Sequence, residues 1–133
     1  MSVKIAEQHN LSGTLCVEIF EITDSIIVNE LAPRSHNSGH YLIEVCYFSQ
    51  FDTHILGVLW EALPEIELHA PTVMLNVLGQ HVDTAKKYVA ENSSTYLHLY
   101  GKLEANHNRK MGHETLFSDV PDSEDEFGKG IDF

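Results

Sequence analysis

The chain has 133 residues, 43% of them hydrophobic and 21% charged, and its 20 acids against 8 Lys and Arg give a formal charge of −12. That composition fits one globular unit, or two small ones, and excludes low-complexity and fibrous classes. The negative sign weighs against nucleic-acid and anionic-membrane partners, which demand a basic face, and no apolar run of about 18 residues is present to span a bilayer.

The opening MSVKIAEQHN is polar and lacks the charged head, apolar stretch and small-residue cleavage site of an export signal, so a soluble, cytoplasmic chain is expected. Cys16 and Cys46 both lie in apolar context, which reads as two buried free thiols rather than a disulfide. Residues 14–22 (TLCVEIFEI) and 26–31 (IIVNEL) are β-branched, apolar runs separated by Thr23, Asp24 and Ser25, the pattern of a hairpin with a three-residue loop. Residues 40–46 are apolar enough for the first turns of a buried helix. Ser49 to Asp52 resembles a capping box that opens a helix through SQFDTHILGVLWEAL, with Phe51, Ile55, Val58 and Leu59 on one stripe and Pro64 closing it.

Beyond the prolines Pro64 and Pro71, PTVMLNVL reads as a buried-type strand, residues 81–92 as a short helix and TYLHLY (95–100) as a strand with alternating faces. Residues 110–117 should pair back on that strand after a loop at 105–108. The expected layout is α+β, with a front portion, 1–64, and a small β-rich back portion, 65–117. From Glu114 onward seven acids face one base, Lys129, so the end of the chain, with 118–133 as its tail, reads as solvated and partly disordered.

Three groups of residues carry candidate chemistry. Glu18 and Glu30 sit inside apolar strands and are equidistant from Asp24, so a three-residue loop would set them face to face. Facing carboxylates repel unless they share a proton, a cation or a hard divalent ion; a solvated sheet edge would explain them equally well, and spacing leaves both readings open. The second group is PRSHNSGH. Arg34 offers a planar fork of donors to a phosphate or carboxylate, and Ser38 and Gly39 can present backbone N–H groups to an anion. The plainer reading is that His36 and His40 cap and pack, and no thiolate or third ligand supports zinc. The third is YGKLEANHNRKMGH, where Lys102 and Arg109, on either arm of a turn, suit one phosphate, or else balance the acidic tail. Gly57 and Gly79 stand alone, outside any phosphate-loop or dinucleotide fingerprint.

VEIF, VNELAPRSHNSGH, the Ser49-Gln50-Phe51…His54 run, PTVMLNVLG and YGK…RKMGH occur in this order. With them, residues 13–113 resemble the C-terminal part of the 5-(carboxyamino)imidazole ribonucleotide synthases, ATP-grasp carboxylate–amine ligases of purine biosynthesis. NELAPRSHNSGH is the specific element, since other ATP-grasp enzymes share a strand glutamate and an Asn-Glu-like pair but carry different residues after it. The resemblance implies the last strands and helix of an ATP-grasp lobe, then a small β-rich C-terminal domain. It implies ATP and magnesium as cofactors, aminoimidazole ribonucleotide and bicarbonate as substrates, carboxyphosphate as the activated species, and a homodimeric parent. Carried over, Glu18 and Glu30 hold magnesium with Asn29 beside them. Arg34 meets transferring phosphoryl charge, His36, Asn37 and Ser38 line the ribonucleotide pocket, and Lys102 and Arg109 take its 5′-phosphate.

Asn106, His107 and Asn108 replace the Arg-Pro-Gly frequent in the family, and Ser35 replaces a frequent proline; these changes bear on substrate affinity. Nothing before Gly13 supplies the nucleotide-gripping lobes, the adenine pocket or the phosphate-binding lysines. The expectation is therefore a C-terminal piece of a synthase that does not turn over alone. The rivals are another ATP-grasp ligase and a non-catalytic module that binds a phosphorylated ligand or associates with other subunits.

Overall fold

The computed structural model describes residues 1–117; the acidic tail at 118–133 lies outside the described residues. The fold is α+β and divides between Glu67 and Leu68 into two compact units. Among the described residues no helix is long and apolar enough to cross a membrane.

The first unit opens with a short helix, α1 (Ser2–Gln8), that the polar opening sequence did not announce. An antiparallel hairpin comes next, β1 (Cys16–Ile22) and β2 (Ser25–Ala32). Its loop is two residues, not the expected three, because Ile22 pairs with Ser25 and Thr23 takes a left-handed φ of 36°. Two-residue loops need such a conformation to match the strand twist. A regular ladder from that turn would set Glu18 opposite Asn29 and turn Glu30 to the other side. The register instead shifts between Glu18 and Ile19, leaving Asn29 as the extra residue of a bulge and Glu30 opposite Glu18. The expected pairing is therefore present, but a bulge produces it.

After β2 come a 3-10 turn (Asn37–Gly39), the one-turn helix α2 (Leu42–Val45), with Val45 and Cys46 buried, and α3 (Gln50–Val58). The capping box at the start of α3 is complete: the Ser49 hydroxyl accepts from the Phe51 and Asp52 N–H groups, and Asp52 Oδ2 accepts from the Ser49 N–H at 2.8 Å. The helix ends at Val58, short of the expected Leu63. Trp60 adopts a φ of 61°, its N–H donates to the Gly57 carbonyl at 3.3 Å, and the Glu61 N–H donates to that of Leu56 at 3.0 Å. This is a Schellman closure with tryptophan where glycine is usual. The stripe Phe51, Ile55, Val58 and Leu59 is exposed, as are Ile19, Phe20, Ile26 and Ile27 of the hairpin.

The second unit runs β3 (Thr72–Leu78), a 3-10 turn (Gly79–His81), α4 (Val82–Glu91), β4 (Thr95–Leu99) and β5 (Lys110–Phe117). The sheet order is β3-β5-β4, with β5 antiparallel to both neighbours, so β3 and β4 are parallel and α4 is their crossover. Among the described residues, Val77, Ala85, Met111 and Leu116 are its buried apolar ones. Glu114, counted from sequence with the solvated end of the chain, is instead 1% exposed at the centre of β5, opposite Leu75 and Leu97. A lone acid in an apolar strand was outweighed by the acids beyond it.

Candidate functional site

Glu18 is the hub of the first unit. The bulge re-aims Asn29, whose Nδ2 donates to Glu18 Oε2 at 3.1 Å, and Glu18 Oε1 lies 3.5 Å from His36 Nε2. His36 Nδ1 is 3.0 Å from Ser38 Oγ, which in turn lies 3.6 Å from Cys16 Sγ. Glu18, Asn29, Glu30, His36 and Ser38 are thus brought together by the hairpin and the turn after it. The His36 side chain is 13% exposed and the Glu18 side chain 38% exposed, so the pair is partly screened by solvent.

Arg34 is exposed and donates from Nη1 to the Ser35 carbonyl at 3.0 Å. Asn37 opens the 3-10 turn, and its carbonyl accepts from the His40 N–H at 3.1 Å. The expected anion contact from the Ser38 and Gly39 backbone is corrected by this turn. The Ser38 N–H is directed at His36 Nδ1 and the Gly39 N–H donates to the His36 carbonyl, so both are spent locally. His36 therefore caps its own turn as well as facing Glu18.

Gln50 was read from sequence only as part of the Ser49-Gln50-Phe51…His54 run, with no role of its own. It is the first residue of α3 and 5% exposed, and its carboxamide bonds to the His36 N–H, the His36 carbonyl and His40 Nδ1. The capping box beside it was the available signal, because it fixes where the first side chain of the helix points. Gly39 was visible, but not the reason for it: a Cβ there would lie 2.8 Å from Gln50 Oε1.

Lys102 and Arg109, the basic pair expected from sequence, lie on the connection between β4 and β5. Lys102 Nζ donates to the Lys110 carbonyl and sits 5.5 Å from the centre of the Tyr100 ring, while Arg109 Nη1 donates to the Glu104 carbonyl at 3.2 Å. Gln80 holds this loop with both ends of its carboxamide, accepting from the Asn108 N–H at 2.9 Å and donating to Asn108 Oδ1 at 3.1 Å. Gly79 has a packing reason: a Cβ would stand 2.6 Å from the Ala105 carbonyl oxygen, and its N–H donates to the Arg109 carbonyl. Below the loop, His98 and His113 stack at 4.7 Å and Tyr100 Oη lies 3.0 Å from His113 Nδ1. Burial pushes the Tyr100 hydroxyl pKa up.

Residues 1–51 match the ATP-grasp domain family, and residues 72–126 match the phosphoribosylaminoimidazole carboxylase C-terminal domain family. The chain is 48% identical over 118 residues to the N5-carboxyaminoimidazole ribonucleotide synthase of Staphylococcus epidermidis, covering 87% of this chain and 32% of that protein. It is 45% identical to an N5-carboxyaminoimidazole ribonucleotide synthetase solved as its ADP complex, with a TM-score of 0.81 over 90% of this chain and 32% of that one. The Aspergillus clavatus synthase, solved with ADP and 5-aminoimidazole ribonucleotide, is 40% identical, with a TM-score of 0.69 over 77% of this chain and 29% of that one.

The chain belongs to the N5-carboxyaminoimidazole ribonucleotide synthases of the ATP-grasp family. It spans about a third of the length of the curated relatives it matches.

Proposed function

We propose that this chain forms the C-terminal part of the active site of an ATP-dependent ligase that carboxylates 5-aminoimidazole ribonucleotide with bicarbonate in purine biosynthesis. In this reading residues 1–64 complete an ATP-grasp domain, 65–117 form the small C-terminal domain and 118–133 are an acidic tail. The observation that carries it is the carboxylate pair Glu18 and Glu30, with Asn29 bonded to Glu18 and His36 linking Glu18 to Ser38.

Two carboxylates and a carboxamide oxygen are hard donors of the kind magnesium takes, so the residues fit that ion. A divalent ion held by Glu18 and Glu30 would offset the charge of the ATP phosphates. Arg34 stabilises phosphoryl charge once its fork leaves the Ser35 carbonyl. His36, Asn37 and Ser38 orient the ribonucleotide, and Lys102 and Arg109 bind its 5′-phosphate. ADP, ATP and aminoimidazole ribonucleotide in solved relatives support this assignment. The homodimeric parent and the cytoplasmic location rest on the family resemblance.

The chain alone does not turn over. A two-stranded ribbon is marginal by itself, and the apolar faces of β1 and β2 are exposed in this unit, which supports further ATP-grasp strands packing there. The test is a chimera in which this chain replaces the matched third of the S. epidermidis synthase. Phosphate release that requires both bicarbonate and aminoimidazole ribonucleotide is expected from the chimera and not from the chain alone. Release supported by formate instead, or none from a folded chimera, would overturn the assignment.

A further inference from the structure

We infer that Gln50 is a positioning residue of this site, its buried carboxamide fixing the His36–His40 turn so that the His36 imidazole stands between Glu18 and Ser38. The His36 N–H donates to Gln50 Oε1 at 2.8 Å and Gln50 Nε2 donates to the His36 carbonyl at 2.7 Å. A backbone N–H only donates and a carbonyl only accepts, so these two bonds fix which end of the carboxamide is oxygen. The remaining hydrogen of Nε2 then points at His40 Nδ1, 2.8 Å away. His40 Nδ1 must accept it, so His40 carries its proton on Nε2. The His40 ring is stacked on Phe51, the next residue of α3, at 5.6 Å and 22°.

All the polar hydrogens of this carboxamide are used, and its residue is 5% exposed, so it acts as a rigid bracket. It anchors the turn to the capped start of α3, where the backbone is itself held by Ser49 and Asp52. Gly39 belongs to the same device, because any larger residue would push the carboxamide away. Holding both backbone groups of His36 sets the origin and direction of its side chain. The imidazole then reaches Glu18 with one nitrogen and Ser38 with the other. The importance of this for catalysis rests on the ligase reading; the bracket itself does not.

The experiment uses the chain as it stands, labelled with 15N in histidine, and reads imidazole protonation and through-space contacts by NMR. In the wild type, His40 is expected as the Nε2–H tautomer, with contacts from the His36 ring to the side chains of Glu18 and Ser38. In Gln50→Ala those contacts should be lost while the Ser49 and Asp52 contacts of the capping box persist. Undiminished His36 contacts would overturn the inference. Should Gln50→Ala fail to fold, Gln50→Glu decides: an acceptor replaces the donor facing His40, which should place a proton on His40 Nδ1. A wild-type His40 already protonated at Nδ1, or one left bare there by Gln50→Glu, would sink the bracket. Neither reading uses nucleotide or substrate, so a silent chimera would defeat the ligase assignment and leave these results standing.

Discussion

Glu18 and Glu30 face each other across the hairpin because Asn29 bulges out between Val28 and Glu30. The pairing is thus a product of a two-residue turn plus one extra residue. Replacing Glu30 with Gln removes charge at nearly constant shape. In the chimera it should lower kcat about a hundredfold, the scale of losing one electrostatic contact to a transition state. Circular dichroism and the thermal midpoint should be unchanged; equal activity would remove Glu30 from the site.

The capping box at Ser49 is worth about 1 kcal/mol by the usual cost of an N-cap serine changed to alanine. Ser49→Ala should lower the urea midpoint accordingly. Bonds from the Ser49 side chain and backbone hold the Asp52 pKa below its ordinary value. Stability from Asp52 is therefore present above the unfolded carboxyl range, near 4, and is lost as pH falls through the lower folded value. Acid titration of the wild type and Asp52→Asn should differ in that window and converge below it.

Glu114 behaves in the opposite sense. Burial raises its pKa, so the folded chain favours the protonated acid. Its contribution is complete below the unfolded value, about 4.3, and is lost as pH rises through the folded one. Glu114→Gln should raise the denaturation midpoint at pH 7 and flatten its decline between acid and neutral pH. A gap between Glu114→Gln and the wild type that does not widen over that range would contradict the assignment.

The two thiols should separate kinetically. Cys16 is partly exposed, whereas Cys46 is 8% exposed and burial pushes its pKa up. At mildly alkaline pH a thiol reagent should label Cys16 first and Cys46 only slowly, because attack needs an accessible thiolate. Cys16→Ser should remove the fast phase.

Much of this layout was legible in the residues. β-branched runs announced the hairpin, and Ser49 with Asp52 announced the start of α3. TYLHLY and KMGHETLF announced strands that do pair. Less legible was whatever depends on a single residue leaving its usual conformation. Trp60 ends α3 in a left-handed state that its side chain does not favour, so Pro64 looked like the stop. The bulge at Asn29 has no composition of its own.

In the site, the charged and imidazole side chains were readable because burying them in apolar context is costly. Gln50 and Gln80 were not, since a neutral amide is common anywhere on a surface. Their roles arise from long-range pairing that no local pattern encodes. Gly39 was read as an anion contact and Gly79 as a lone glycine, and the neighbours that explain them lie elsewhere in the chain.

Among the described residues the middle strand of the second unit, β5, comes last in the chain, and β3 and β4 are joined through it. During synthesis, then, more than thirty residues from Thr72 to Arg109 emerge with two strands that have no ladder to join. Closure must wait for Lys110 to Phe117 to slot between them, making both pairings at once. A ribosome that stalls before that point would leave a loose β–α–β arm with two unsatisfied edges, the form most open to proteolysis and to capture by a neighbouring strand.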